Sequence, residues 1–354
     1  MFPHEQVIIR RGRESGLPII VAVHSTTRGM AIGGCRMKAY PGWQDGLADA
    51  LRLSAAMTDK CALAGLPHGG GKTVIVLPPA GDGGRQLAPH QPGDDLREAA
   101  LHDAGSVIED LGGIYATGPD VGTGPADMVT IGERTTHVFC RPVEHGGSGD
   151  SSPATALGTI AALRAVCAHR FGSPDLSRRS FAVLGLGRVG AHVARLLAEA
   201  GAKIKVADID EAKRAAAPEG SVWINPDECL RETVDVLIPA ALGGLLGPET
   251  VPALHCRAIA GPANNQLVSP DTAATLHERG ILWAPDAVVS AGGIIHATAV
   301  ELRHRSEQNA LAEVETIGDT LTAILREADA RRISPYEASI TRSIAARERR
   351  VSRR

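Results

Sequence analysis

The sequence predicts two α/β domains around a cleft: a mixed α/β N-terminal domain and a C-terminal domain built as a doubly wound parallel sheet. Three observations carry that expectation. The chain has 354 residues, 44% of them hydrophobic, which is enough to fill two cores. Apolar β-branched runs alternate with helical patterns through the second half. A glycine-rich turn, GLGRVG at 185–190, joins one such run to one such helix. The boundary falls in EHGGSGDSSP, 144–153, whose composition suits a hinge. The expected domains are therefore 1–147, with the C-terminal helix 327–354 packing back on it, and 148–326.

From the N-terminus, VIIR (7–10) and PIIVAVHS (18–25) read as strands, and a long helix follows near 45–62. LPHGGGKTVI, 66–75, has the outline of a phosphate cradle, but Leu66 stands where a P-loop needs its first glycine. The TVIVL run after Lys72 is also a strand, where a P-loop needs a helix. The glycines at 69–71 are instead expected to let the backbone approach a ligand and to leave Lys72 unscreened. Residues 78–98, rich in Pro, Gly and Asp, read as a surface loop, and ATALGTIAALRAVCAHRF after 153 reads as a helix. Residues 181–210 give strand, tight turn, helix and strand; further strands fall within 234–242, 257–263 and 280–286. The tail from 297 to 346 is helical, ending in a solvated Arg-rich terminus, RERRVSRR.

Composition excludes several functions. A formal net charge of -3 gives no pull toward nucleic acid or an anionic membrane. Six cysteines form no C-x-x-C pair, so free thiols in a reducing cytoplasm are expected rather than a disulfide framework. No apolar run reaches the length of a membrane span, and the N-terminus carries no apolar secretion core. Thirteen histidines lack H-E-x-x-H or any tight ligand spacing, so no metal is expected.

The glycine turn has the context a dinucleotide needs. Gly185 permits the tight turn, Gly187 lets the backbone approach a pyrophosphate, and Gly190 lets helix and strand pack, as in a Rossmann domain. The helix N-terminus, with Arg188 and Val189 in the first turn, faces phosphate. Asp208 closes the next strand and suits the two ribose hydroxyls, which favours NAD over NADP. Arg188 leaves some NADP use open, while Lys203 and Lys205 are expected to point to solvent.

The N-terminal region supplies two lysines, Lys60 in AMTDKCALAG and Lys72 in the glycine run. Two ammonium groups in one desolvated cleft would hold one of them neutral near pH 7, as a base requires. Around them the chain carries AIGGCRM (31–37), DALRLSAAMTDK (49–60), AGLPHGGGKTVI (64–75), ATGPDVGT (116–123), GGSGDSSPATALG (146–158), PAALGG (239–244), AGPANNQL (260–267) and APDAVVSAGGIIH (284–296). With these blocks in this order the sequence resembles the leucine, valine and phenylalanine dehydrogenases, the hydrophobic-amino-acid branch of the glutamate dehydrogenase superfamily, from about Gly16 to Arg347.

The resemblance implies an NAD-dependent, reversible deamination of an apolar L-amino acid to its 2-oxo acid and ammonia by a homo-oligomer. It implies Lys72 as general base, Asp120 as its acidic partner, and Lys60, Gly34 and Asn265 at the substrate carboxylate. Ile32, Gly118, Pro119, Ile294 and Ala297 would line the side-chain pocket. Thr155, Ala240 and Asn264 would join the fingerprint residues on the cofactor. None of the five pocket residues is a cation, which argues against the alternative of a glutamate dehydrogenase. A non-catalytic NAD-binding amino-acid sensor is the other alternative. Gly118, Pro119 and His296 are similar to the phenylalanine enzymes, whereas GGSGDSSP looks like the valine enzymes and Ile294 shortens the pocket; branched aliphatic substrates are favoured. Two departures stand out: Asp59, expected to face solvent, replaces a tyrosine, and Ser290 replaces an asparagine.

Overall fold

The computed structural model describes residues 3–79 and 95–348. The chain forms two compact units. The first takes Met1–Asp150, Ala297–His304 and Ser343–Arg354, and the second takes Ser151–His296 and Arg305–Arg342.

In the first unit the elements run β1 Gln6–Arg11, β2 Pro18–Ser25, β3 Ala31–Ala39, α1 Trp43–Leu63, β4 Gly69–Leu77, α2 Asp95–Glu109, β5 Tyr115–Pro119 and α3 Pro125–Gly132. The five strands form one mixed sheet in the order β1-β2-β4-β3-β5. β2 is antiparallel to β1 and β4, whereas β3 runs parallel to both β4 and β5. Strand period separates the faces. Ile19, Val21 and Ile75 meet α2 and α3 in one core, while Ile20, Ala22, Val74 and Val76 meet Ala50 of α1 in another. Lys72, in register with Ala22, therefore belongs to the α1 face.

Two readings of this region change. Most of the expected 78–98 loop lies outside the described residues, but its last part is helical, because Asp95 and Glu98 place acids in the first turn of α2. β4 begins at Gly69 rather than Thr73, and its glycines are closely packed against the surrounding protein. A Cβ at Gly69 would lie 1.7 Å from the Ser25 carbonyl oxygen, one at Gly70 would lie 2.2 Å from the Thr58 nitrogen, and one at Gly71 would lie 2.5 Å from the Tyr115 ring. The glycine run lets α1 and β2 close on the strand that carries Lys72.

The second unit contains α4 Ser152–Phe171, β6 Ser180–Leu184, α5 Arg188–Glu199, β7 Lys203–Ala207, β8 Val222–Trp223, α6 Pro226–Cys229, β9 Val236–Pro239, β10 Ala258–Ile259, α7 Asp271–Glu278, β11 Leu282–Trp283 and α8 Asp286–Val289. Its sheet is entirely parallel, in the order β11-β10-β9-β6-β7-β8. The fold class expected from the sequence, a mixed α/β domain followed by a Rossmann-type doubly wound sheet, is the one observed. The winding reverses beside β6, since the chain goes from β6 to β7 on one side and later returns to β9 on the other. Ligands of such sheets bind outside the strand ends at that switch point.

α9 Gly292–Ala297 continues into a π-helical turn, Thr298–Leu302, and α10 Glu307–Glu315, α11 Ile317–Arg331 and α12 Pro335–Glu348 complete the chain. The RERRVSRR terminus lies outside the described side chains except for Arg347, which is ion-paired rather than simply solvated. All six cysteines are buried free thiols. Among the described residues no helix is long and apolar enough to cross a membrane.

Candidate active site

On the α1 face of the first sheet, period two aligns Gly34 and Arg36 of β3, Lys72 of β4 and Gly118 of β5, and Asp120 follows one strand step beyond Gly118. Lys72 Nζ lies 2.6 Å from Asp120 Oδ2, with the lysine side chain 6% exposed and the aspartate 24%. A Cβ at Gly34 would sit 3.2 Å from that Nζ and 2.8 Å from Asp120 Cβ, so only glycine leaves this space open. Asp120 is anchored through its backbone, whose N–H donates to Thr123 Oγ1 at 3.0 Å; that hydroxyl lies 2.7 Å from the Cys35 carbonyl of β3.

Burial pushes the Lys72 amine below the ordinary lysine value, and the Arg36 cation acts in the same direction against the opposing pull of Asp120. Burial raises the Asp120 carboxyl, but Lys72 and Arg36 outweigh it and hold it well below the usual carboxylate range. The result is a carboxylate next to a lysine that gives up its proton readily. Such a pair can accept and relay protons at a reacting centre.

Lys60 is half-buried in the last turn of α1. Its neighbour Asp59 does not face solvent as expected: its Oδ1 takes the guanidinium of Arg347 and the hydroxyl of Ser343. Ile32 is fully buried on β3, Gly118 is buried with the Phe139 ring over its Cα, and Pro119 is half-buried. Ala297 is buried at the end of α9.

In the second unit the fingerprint glycines separate by role. Gly185 has φ +106°, and a Cβ there would lie 2.8 Å from that of Ala241 and 2.9 Å from the Ala240 carbonyl carbon. Gly190 packs directly on Gly185, whose carbonyl oxygen would be 1.9 Å from an added Cβ. At Gly187, the N-cap of α5, an added Cβ would meet nothing within 4 Å. That open space in front of a helix N-terminus fits a pyrophosphate. Arg188 is exposed and Val189 half-buried in the first turn.

Asp208 Oδ2 accepts from the Leu186 N–H at 2.7 Å, and Oδ1 accepts from the Asp210 N–H at 3.0 Å. Burial raises this carboxyl, but those two N–H groups and Lys213, at 3.2 Å, hold it below its ordinary value, so it is an anion. Lys203 is exposed, whereas Lys205 turns to Glu232 rather than to solvent.

Asn264 and Asn265 are exposed, and Asn265 adopts a left-handed φ of 53°. Ser290 Oγ lies 2.6 Å from the Asp286 carbonyl and 3.2 Å from Asn264 Oδ1, so its one proton is shared between them. Thr155 donates to the Ser151 carbonyl in the first turn of α4 and sits against Gly293. Ile294 is half-buried, and His296 lies 2.8 Å from Glu307.

The sequence reading missed two supports. Buried Gln266 donates to the carbonyls of Gly261 and Ala263 and accepts from Trp283 Nε1, closing the loop that presents both asparagines. A third amide side chain directly after the two asparagines, in NNQL, is its only signal. Arg36, within AIGGCRM, is the other; the alternation of a strand over 31–39 is the signal that puts it beside Lys72.

Residues 4–137 match the family described as Glu/Leu/Phe/Val dehydrogenase, dimerisation domain, and residues 146–220 and 204–334 match Glutamate/Leucine/Phenylalanine/Valine dehydrogenase. The chain is 40% identical to leucine dehydrogenase of Geobacillus stearothermophilus over 96% of its own length and 89% of that protein's. It is 39% identical to phenylalanine dehydrogenase of Lysinibacillus sphaericus, over 95% of its own length and 86% of the other. Among solved structures, L-tryptophan dehydrogenase from Nostoc punctiforme superposes with a TM-score of 0.79 at 34% identity, covering 98% of this chain and 96% of that one. With both units matched and relatives this similar along nearly the whole length, the chain belongs to the Glu/Leu/Phe/Val amino-acid dehydrogenase family.

Proposed function

We propose that this chain is an NAD-dependent dehydrogenase that converts an apolar L-amino acid and water, reversibly, into the 2-oxo acid, ammonia and NADH, with branched aliphatic substrates preferred. The observation that carries the reading is the buried Lys72–Asp120 pair, in a chain whose other unit presents the open Gly187 turn and an anionic Asp208. When bound, NAD supplies the acceptor for the hydride that leaves the substrate α-carbon. Gly185, Gly187, Arg188, Val189, Gly190 and Ala240 would hold its pyrophosphate side, Asp208 the adenosine ribose, and Thr155 and Asn264 its nicotinamide end.

In this proposal Lys60, Gly34 and Asn265 receive the substrate carboxylate. Lys72, whose burial favours the neutral amine, takes a proton from the water that attacks the substrate iminium. Asp120 exchanges a proton with the departing ammonia. Ile32, Gly118, Pro119, Ile294 and Ala297 receive the side chain, and none of them could pair a second carboxylate. That disfavours glutamate, because an unpaired buried charge is costly.

The test is NADH formation at alkaline pH with L-valine, L-leucine, L-phenylalanine, L-tryptophan and L-glutamate, with NADP in parallel. Turnover of an apolar member with NAD is the expected result. Preference for glutamate would replace the substrate assignment. Silence across the panel in protein that still binds NADH would favour a sensor.

A further inference from the structure

We propose that Arg36 is a positioning residue for this chemistry, fixing Asp120 and the Lys72 amine by bridging Asp120 to a buttress made of Asp49 and Tyr40. The proposal rests on the reading of Lys72 and Asp120 given above. Arg36 Nε lies 2.8 Å from Asp120 Oδ2, and its Nη1 lies 2.7 Å from Asp49 Oδ2. Asp49, on α1, also accepts from Tyr40 Oη at 2.7 Å and from Arg52 at 2.7 Å. The Arg36 and Asp49 side chains are only 14% and 15% exposed, so the bridge is well shielded from solvent.

The geometry uses what distinguishes arginine from lysine. Two nitrogens of one rigid fork reach two carboxylates on different elements at once, which a single ammonium cannot do. Two nitrogens, Arg36 Nε and Lys72 Nζ, meet the same oxygen of Asp120, Oδ2. Among the described residues no hydrogen bond reaches Oδ1, and the side chain retains some exposure. Oδ1 is therefore the oxygen left to exchange a proton with the departing ammonia, while Oδ2 serves as the pivot.

Arg36 also acts on the base. The titratable and charged groups that act on Lys72 are Asp120 beyond β5, Arg36 on the same face of β3 and, from the other face of that strand, Cys35; those that act on Asp120 are Lys72 and Arg36. Removing the Arg36 charge would leave the whole carboxylate to Lys72 and remove a repelling cation. Both changes favour the lysine ammonium, so the neutral base would appear only at higher pH. A purely structural tie between β3 and α1 would affect stability without moving that titration.

The experiment compares the pH dependence of kcat for deamination, with the best apolar substrate and NAD, in the wild-type full-length chain and in Arg36→Gln, Arg36→Lys and Tyr40→Phe. Arg36→Gln is expected to lower kcat about 10-fold to 100-fold and to move the acid limb up by about half to one pH unit, with NADH affinity unchanged. Arg36→Lys should restore the limb more fully than the rate, because it returns the charge without the fork. Tyr40→Phe should move rate and limb in the same direction, by less.

An Arg36→Gln protein that keeps the wild-type limb, whether or not its rate falls, overturns the proposal. If that variant does not fold, an unmoved limb in Tyr40→Phe overturns it instead. Lys72→Ala runs alongside: an undiminished rate there would sink the underlying assignment of the base, whereas a lost rate with an unmoved Arg36→Gln limb would sink the positioning role alone.

Discussion

The carboxylate of Asp59 is paired with the guanidinium of Arg347, which follows it by 288 residues, and with the hydroxyl of Ser343. The sequence neighbour of Asp59 is Lys60, for which a role at the substrate carboxylate is proposed. An Asp59 without these two donors is expected to compete for that cation. Arg347→Ala is expected to raise KM for the amino acid about threefold to tenfold while leaving KM for NAD unchanged. Steady-state kinetics in both substrates would check this; an unmoved amino-acid KM would show that the pair only docks the helix.

How far the site was legible varies with the kind of interaction. The strand, turn and helix around Gly185 were readable because local spacing alone fixes them. β3 was not, because its two glycines hide the alternation that puts Gly34 and Arg36 on one face. The packing role of the glycine run before Lys72 is not legible in the sequence, since only the folded sheet brings Ser25, Thr58 and Tyr115 against it. The Asp59 pair joins segments far apart in sequence, and no local pattern reports such a partner.

Lys72 sets the expected pH behaviour of deamination. Its folded pKa is depressed, by burial first and then by Arg36, so the neutral form gains population as pH rises through a value below the ordinary lysine range. The rate of deamination should rise through that value. Lys72→Ala should lower kcat about 10²-fold to 10⁴-fold and abolish that limb, with NADH binding retained. A persisting limb would assign the titration to another group.

Asp103 makes an acid-sensitive contribution to stability. The buried carboxylate accepts from the N–H groups of Arg13, Glu14 and Ser15 at 2.8, 3.1 and 2.8 Å, and from the Ser15 hydroxyl at 2.7 Å. Burial raises its pKa, but these donors outweigh it and the net shift is downward. A depressed folded pKa contributes stability that is fully present above the unfolded value of about 4 and is lost as pH falls through the folded value. Asp103→Ala should cost about 2–3 kcal/mol near neutral pH and much less in acid. Denaturant unfolding at two pH values would check both parts, and an equal cost at both would remove ionisation from the account.

Gly187 and Gly190 separate the cost of folding the fingerprint from the cost of binding NAD. At Gly190 a methyl group would press on the Gly185 carbonyl, which belongs to the backbone and cannot rotate away. Gly190→Ala should therefore destabilise the protein by about 1–3 kcal/mol even without cofactor. Gly187 has φ -65° and ψ -174°, open to any L-residue, and an added methyl meets no protein atom within 4 Å. Gly187→Ala should leave stability within about 0.5 kcal/mol of the parent, yet weaken NADH binding by about tenfold or more, because the methyl occupies the space assigned to the pyrophosphate. Thermal unfolding and NADH titration of the two variants would decide. If Gly187→Ala binds NADH as the parent does, the phosphates lie elsewhere and the open turn does not hold the cofactor.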